Sequence, residues 1–154
     1  MSYFKLLTEL KSILELDSRI KTITSDDVDD IDGYKQNIYS LAHIIIEDSN
    51  PTDNLSTYSV LVQCVDIVME NNNITTDKFK GNSNIQEVYN DMDNVINRMY
   101  GALSRRASGT NINVISKSPH TKILESQTDN RLAGWAASFQ VEVPNLLMDV
   151  CEIV

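Results

Sequence analysis

Residues 135–144 read Trp-Ala-Ala-Ser-Phe-Gln-Val-Glu-Val-Pro and are the stretch that decides the fold. Large apolar side chains at Trp135, Phe139 and Val141 alternate with small or polar ones. This period of two is typical of a β-strand with one buried face. Pro144 ends the pattern because proline has no backbone N–H to give to a sheet. The stretch therefore predicts a half-buried strand that needs partners on its apolar side.

Two longer runs upstream supply those partners. Residues 39–47 and 57–69 are rich in β-branched and aromatic residues, and 48–54 between them is dense in turn formers, so we predict a hairpin. Shorter strands are predicted at 19–24 and 112–116. Because hairpins dominate, we expect one largely antiparallel sheet.

Two amphipathic helices are predicted beside this sheet. Apolar residues recur at helical spacing over 3–16 and again over 85–103, where Ser83 and Gln86 fit a capping box at the start. The predicted fold is a single α+β domain, 1–154, with both helices on one sheet face and the order α-β-β-β-α-β-β. We expect one stripe of the second helix to pack against the apolar face of the final strand; its residues are Tyr89, Met92, Ile96 and Met99.

Length and charge restrict the possible functions. A chain of 154 residues suits one domain, and no apolar run approaches the roughly 20 residues that a membrane span requires. The first residues lack the features of a secretory signal, so we expect folding in a cytoplasm. Twenty-two acidic against thirteen basic residues give a net charge of −9. Such a surface repels nucleic-acid phosphates, so sequence-specific reading of DNA or RNA is not expected.

Three polar stretches are not required by the core pattern: 25–38, 71–82 and 117–131. We predict that they are loops, and that partner contacts lie there. The first contains a run of carboxylates at Asp26, Asp27, Asp29, Asp30 and Asp32. An EF-hand is excluded because Val28 and Tyr39 stand where calcium ligands are needed. The run is interpreted as a solvated loop; weak binding of a divalent cation and contact with a basic patch on a partner stay open.

Arg105 and Arg106 follow the periodic part of the second helix. We predict that they close the helix, where cations complement its dipole. Contact with an anionic group of a partner is the alternative, so both join the acidic run as candidate interface residues.

No constellation of catalytic or metal-binding residues is evident. Nucleophile-elbow, phosphate-loop, dinucleotide-binding and zinc-protease patterns are all missing. His43 lies within a predicted strand and His120 in a predicted solvated loop, so they form no metal site. Cys64 and Cys151 are interpreted as buried thiols, and Trp135 as core, with interface anchoring as the alternative. We therefore expect no enzymatic activity and no cofactor.

Three segments of the chain carry a resemblance to a known class of proteins: Tyr3-Phe4-Lys5-Leu6-Leu7, Arg19–Thr24 with its acidic continuation, and Asn130–Trp135 with the ending Val143-Pro144-Asn145. Together they resemble small virion proteins of tailed phages that infect Bacteroidetes, including crAss-like phages. The order of elements also resembles that of tail-terminator and tail-completion proteins, whose helix-flanked sheet assembles into rings between tail and head connector.

The resemblance implies a structural protein of the virion neck or tail, made in the host cytoplasm. It implies six or twelve copies in a ring that joins portal, neck or tail proteins, with an acidic surface past which channel DNA slides. The competing hypothesis is a small acidic adaptor or inhibitor that binds one protein partner through its acidic loop. A small enzyme is a third reading, with no visible nucleophile and base to support it.

Overall fold

The computed structural model describes residues 2–26, 39–70, 76–110, 112–125 and 131–144, without the side chains of Ser2, 106–110 and Glu125. Two helices and six strands lie within these ranges. The helices are α1 (Ser2–Glu15) and α2 (Ile85–Thr110). The strands are β1 (Thr22–Ser25), β2 (Leu41–Pro51), β3 (Leu55–Ile67), β4 (Asn113–Lys117), β5 (Thr121–Glu125) and β6 (Leu132–Pro144).

The strands form one sheet in the order β1-β2-β3-β6, and β4 and β5 share the far edge of β6. Among the described strands, only β1, which is parallel to β2, departs from the antiparallel arrangement. The predicted α+β class, with a largely antiparallel sheet and two helices, is confirmed.

The predicted element order was wrong at one place. The stretch 117–131 was expected to be a loop, but Thr121–Glu125 is a strand paired with Leu132–Ala136 of β6. Five residues of mixed polarity give little local signal, and the long partner strand supplies the backbone hydrogen bonds that stabilise them. β4 and β5 both run antiparallel to β6, so they form one edge strand interrupted at 118–120.

The turn of the β2–β3 hairpin is also shorter than predicted. Pro51 still pairs with Ser56, so the residues outside the ladder are 52–54 rather than 48–54. Thr52 closes this turn because its hydroxyl accepts a hydrogen bond from the Leu55 amide and its own amide donates to the Leu55 carbonyl. A register shift between Ile46 and Asp48 accommodates the polar end of β2.

Both helices pack on one face of the sheet and form one core with it. Met92, Ile96 and Met99 on α2 are almost fully buried and share this core with Phe139 and Val141 of β6. Each such side chain stabilises the fold by about 1.5–3 kcal/mol relative to full exposure. A smaller cluster lies on the opposite face; its buried members are Tyr39, Leu41, Val65 and Leu132.

Gly134 marks a close approach of β6 to β3. A Cβ atom at this position would lie 1.8 Å from the backbone oxygen of Cys64. No side chain fits there, so the register of the two longest strands depends on this glycine.

The ends of α2 differ from the sequence prediction. Ser83 pairs with Glu70 in an isolated bridge rather than capping the helix. Asn84 precedes the helix instead, and it exchanges hydrogen bonds with the backbone of Met69 through its amide and its side-chain oxygen. At the other end α2 continues to Thr110, so Arg105 and Arg106 lie inside the helix and do not close it.

The predicted loops are only partly described. Within 71–82, residues 76–82 contain turns and no regular helix or strand, as predicted, and 71–75 lie outside the described residues. Within 25–38, Ser25 ends β1 and 27–38 lie outside. Within 117–131, Lys117 ends β4, 121–125 form β5 and 126–130 lie outside.

Candidate interface groove

A groove of about 720 Å³ lies between the end of α1 and the middle of α2. Leu14, Val95 and Met99 form its buried apolar floor. Gly101 and Ala102 are small, so α2 leaves room beside α1 at this level. The groove is thus open to solvent above an apolar base. We call it the arginine groove because of the three arginines that line it, Arg19, Arg98 and Arg105.

Arg98 and Arg105 are seven residues apart on α2, which places them on one side of the helix about 10.5 Å apart along its axis. Both are exposed. Neither is hydrogen-bonded or ion-paired to any of the residues that the structure describes. Their charges are therefore available to an incoming anionic group.

Arg19 is held in place within the groove. Asp17, just after α1, accepts a hydrogen bond from the Arg19 amide at 3.1 Å, and its Oδ1 lies 3.8 Å from the Arg19 Nε. The Arg19 guanidinium also donates to the Asp91 carbonyl at 3.4 Å. Arg19 is thus part of the groove wall, whereas the two arginines of α2 have no partner among the residues that the structure describes.

Asp17 is the buried acid of this groove. Its side chain is 7% exposed, and its Oδ2 has no hydrogen-bond partner among the described residues. A buried acceptor left unpaired costs about 1–3 kcal/mol, so an N–H donor arriving in the groove would be favoured there.

The arginine groove is unusual for this chain because the net charge is −9 and three of the five arginines line it. Leu16 lies at its mouth with 72% of its surface exposed. Arginine together with exposed apolar surface is typical of protein–protein contact surfaces. The arrangement suits a peptide segment that carries carboxylates and a few apolar side chains.

The structure describes only two of the candidate interface side chains that the sequence predicted, those of Arg105 and Asp26. Arg105 lies in the arginine groove, whereas the side chain of Arg106 lies outside the described residues. Four of the predicted acidic residues also lie outside them: Asp27, Asp29, Asp30 and Asp32.

Asp26 is described, and it is not the solvated residue that we predicted. It is half-buried, with its amide donating to the Ile44 carbonyl at 2.8 Å and its Oδ1 accepting from the Ile46 amide. The Tyr3 hydroxyl donates to its Oδ2, and this hydrogen bond raises the pKa of Tyr3. Asp26 has a φ of 49°, a conformation that aspartate tolerates better than most residues. Its side chain therefore joins the first turn of α1 to β2.

Sequence reasoning missed Asp17, Arg19 and Arg98. Arg19 and Arg98 are nearly eighty positions apart, and only the packing of α1 on α2 brings them together. One local signal was available, since Arg98 and Arg105 are seven residues apart and so share a helix face.

The other flank of α2 carries an aromatic cluster made of Tyr89, Tyr100, His120 and Trp135. His120 stacks on Tyr100 with 5.8 Å between the centres of their rings, and its Nδ1 lies 3.0 Å from Asp93 Oδ1. The prediction that His120 is solvated was wrong. His120 lies in the interruption between β4 and β5 and packs against α2, so its side chain is only 19% exposed.

Trp135 belongs to the same aromatic cluster. Its Nε1 donates to the Tyr89 carbonyl at 2.8 Å, and its aromatic ring meets that of Tyr89 edge to face. The Lys122 ammonium lies 4.7 Å from the centre of the Tyr89 ring and 5.7 Å from that of Trp135. The interpretation of Trp135 as a packing residue therefore agrees with its contacts.

Cys64, the cysteine that the structure describes, is buried in the core. Burial raises the pKa of the Cys64 thiol to about 12, so this cysteine stays protonated at neutral pH. Cys151 lies outside the described residues. Within the described ranges, no three His, Cys, Asp or Glu side chains gather where they could hold a metal ion. Neither described helix has an apolar stretch long enough to cross a membrane.

Comparison with known proteins assigns no family to the chain. No family model matches it. No curated protein matches it significantly either.

Proposed function

We propose that this protein is a structural subunit that assembles with copies of itself and with neighbouring proteins, as a ring at the head–tail connector or tail of a tailed phage. Six or twelve copies would surround the DNA channel and join portal or neck proteins to the tail. The resemblance of three chain segments to small phage virion proteins supports this proposal.

The arginine groove is the observation that carries the proposal. Arg98 and Arg105 project beside an apolar floor without partners among the described residues, on a chain whose other charges are mostly acidic. Complementary charge guides association and specifies the partner. An acidic chain with one arginine-lined groove is therefore suited to bind an acidic surface, and a second copy carries such a surface.

The net charge also suits a position beside DNA. A net charge of −9 disfavours adhesion to phosphates, so DNA passing through a channel of such subunits would not be retained.

Solution mass and negative-stain electron microscopy of the purified full chain test the proposal. We expect oligomers with six- or twelve-fold views, either alone or after addition of the neighbouring portal or tail protein. A chain that stays monomeric under both conditions, and is missing from purified particles, would overturn it.

The second candidate function is a small adaptor or inhibitor that binds one protein partner. The same groove favours it, because one arginine-lined cleft suffices for one acidic segment. A stable 1:1 complex with a single partner, formed by a monomeric chain, would support the adaptor instead of the ring.

A further inference from the structure

We infer that the arginine groove binds an extended acidic segment of a neighbouring protein, with two carboxylates on Arg98 and Arg105 and a backbone amide on Asp17. The inference rests on the proposed function, because it names the feature that the subunit recognises on its neighbour. The groove reads both the charges and the backbone of one peptide strand.

The two arginines of α2 set the spacing between the acids. Arg98 and Arg105 lie about 10.5 Å apart along the helix axis. The Arg105 guanidinium lies over Gly101, since its Nη1 is 3.5 Å from the place where a Cβ atom of Gly101 would be. In a peptide with polyproline II conformation, side chains three positions apart lie about 9 Å apart on the same side. Two acidic residues at this spacing can therefore meet one guanidinium group each.

Asp17 adds a requirement that bare anions cannot meet. Its side chain is 7% exposed, and its Oδ2 has no hydrogen-bond partner among the described residues. The Oδ1 accepts from the Arg19 amide, so Oδ2 is the oxygen that remains for a ligand in the groove. The ligand must therefore bring an N–H donor as well as negative charges. Every peptide unit except that of proline has this donor, whereas a phosphate chain has none.

Asn94 and the apolar floor complete a surface suited to a peptide. Asn94 is half-buried in the groove, and its side chain has no partner among the described residues. Its amide offers one oxygen acceptor and an NH₂ donor, which match the two polar groups of a peptide unit. Leu14, Val95 and Met99 form the floor and can receive apolar side chains of the segment.

The shape of the groove favours a strand over a folded surface. The floor is almost fully buried between two helices, so a single strand can reach it, whereas a folded body meets only the rim. Each carboxylate that the structure describes lies on a helix, on a strand or in a turn that joins them. The described surface of a second copy therefore offers no free acidic strand. Recognition of acidic segments by clustered arginines is a common mode of peptide binding.

Ser40 lies on the Arg19 side of the groove. Its hydroxyl donates to the Arg19 carbonyl, and its own carbonyl accepts from the Lys21 amide at 3.0 Å. The acidic run 27–32 precedes Ser40 in the chain. The competitor that an experiment has to exclude is thus the chain itself.

Fluorescence anisotropy of the full chain with labelled synthetic peptides tests the inference. The probe is a short peptide with two glutamates three positions apart and an apolar pair, leucine and valine, between them. The comparison peptides have adjacent glutamates, or glutamines in place of the glutamates. We expect saturable binding of the probe, about tenfold tighter than that of either comparison peptide. Equal binding of all three peptides, or no binding of the probe, would overturn the inference.

Charge reversal in the groove should abolish most of this binding. The groove variant, Arg98→Glu with Arg105→Glu, should weaken probe binding about 100-fold. The matched control is Lys78→Glu with Lys80→Glu, two exposed lysines outside the groove that change the net charge equally. Its affinity should stay within about threefold of the unmodified chain, because the contact is local. Similar losses in both variants would mean that only net charge matters, and would contradict the inference.

Asp17→Asn separates peptide recognition from the simple attraction of anions. The substitution puts an NH₂ donor where Oδ2 accepts, and the remaining oxygen can still accept from the Arg19 amide. Probe binding should therefore fall about tenfold, although a negative charge has been removed. A site that only attracts anions would instead gain affinity for the probe and for inorganic polyphosphate, and this gain would refute recognition of the peptide backbone.

Circular dichroism checks that each variant is folded. Should the groove variant fail to fold, Arg98→Gln with Arg105→Gln replaces it, with an expected loss of affinity of about 30-fold.

Two further measurements reveal other occupants of the groove. The first repeats the titration on a variant of the acidic run: Asp27→Asn, Asp29→Asn, Asp30→Asn and Asp32→Asn. If the probe binds this variant alone, the chain covers its own groove, and a neighbour's segment is the wrong occupant. The second adds the probe to the unmodified chain during analytical ultracentrifugation. If the probe dissociates oligomers, a second copy fills the groove, and the inference is again overturned.

The same measurements separate this inference from the proposed function. If the groove variant loses the probe but still forms oligomers, the inference and the ring are both supported. If a chain that stays monomeric binds the probe as expected, the inference is supported and the ring is not. If the chain forms rings without binding the probe, the ring is supported and the inference is wrong.

Discussion

The two flanks of α2 differ in how completely they are covered. On one flank Tyr89, Tyr100 and the imidazole of His120 pack with Trp135, and the edge strands β4 and β5 bring lysines over the aromatic rings. On the other flank α1 has already ended, and Arg98 and Arg105 are exposed beside the groove. The same helix thus has one flank covered by its own chain and, among the described residues, one flank exposed beside a groove.

This difference shows what each flank contributes. The covered flank holds α2 to the sheet through rings and hydrogen bonds, so its substitutions should alter stability. The open flank has few contacts to lose, so its substitutions should alter association. The following changes test that division, starting with the buried stripe between the two flanks.

Replacement of Ile96 by alanine should have the largest effect. Ile96 is fully buried between the flanks, and emptying such a core position costs about 2–5 kcal/mol of unfolding free energy. Urea denaturation measures the change. Ile115→Ala is the control, since Ile115 is 43% exposed and should lose less than about 1 kcal/mol. Equal losses for both variants would show that α2 does not bury this stripe against the sheet.

Replacement of Trp135 by phenylalanine should weaken the covered flank. The change removes the 2.8 Å hydrogen bond to the Tyr89 carbonyl and part of the ring that Lys122 faces. We expect a loss of about 1–2 kcal/mol of unfolding free energy, with unchanged self-association. Thermal unfolding and ultracentrifugation together check both expectations, and weaker association would mean that the covered flank also meets a partner.

Replacement of Tyr100 by phenylalanine should stabilise the chain. The Tyr100 hydroxyl is buried without a hydrogen-bond partner among the described residues, and burial raises its pKa to about 12. Removing an unpaired buried hydroxyl should gain up to about 1 kcal/mol. Tyr89→Phe is the matched control, because the Tyr89 hydroxyl donates to the Ile123 carbonyl at 3.3 Å and its removal should bring no gain. A loss of melting temperature in Tyr100→Phe would indicate a hydrogen-bond partner in solution.

Replacement of Arg98 by alanine should have the smallest effect on folding. This exposed arginine has no partner among the described residues, so the unfolding free energy should change by less than about 0.5 kcal/mol. Arg19→Ala, which removes the Nε contact with Asp17 and the hydrogen bond to the Asp91 carbonyl, should cost more. If Arg98→Ala proved the more destabilising of the two, the open flank would have a structural role.

The sequence predicted those parts of the fold that have a strong local period. The alternation in β6 and the helical stripe of α2 were sufficient to identify the class, the buried face and the packing of Met92, Ile96 and Met99. β5 was missed because five residues of mixed polarity become a strand only by pairing with β6. The cap of α2 was assigned to Ser83, whereas Asn84 precedes the helix and its side chain accepts a hydrogen bond from the amide of Met69, fifteen positions away.

The candidate site was only half accessible to sequence reasoning. Arg105 was identified, although for a role at a helix end that it does not occupy. Arg19 and Asp17 join it only through the packing of α1 on α2. Asp26 was predicted to be a solvated carboxylate like its neighbours in the sequence. It accepts a hydrogen bond from Tyr3, a residue 23 positions away. Tertiary contacts of this kind leave no pattern in the local sequence.

The interruption in the outer edge of the sheet has a consequence for aggregation. A long, regular edge strand invites strand addition from another molecule, and this is a route to amyloid-like fibrils. Here the edge shifts register between Val114 and Ser116. It is interrupted at Pro119, which has no amide hydrogen, and Lys117 and Lys122 lie on either side of the interruption. No continuous row of free backbone groups is offered along β4 and β5. This border of the sheet therefore resists strand addition and the growth of fibrils from it.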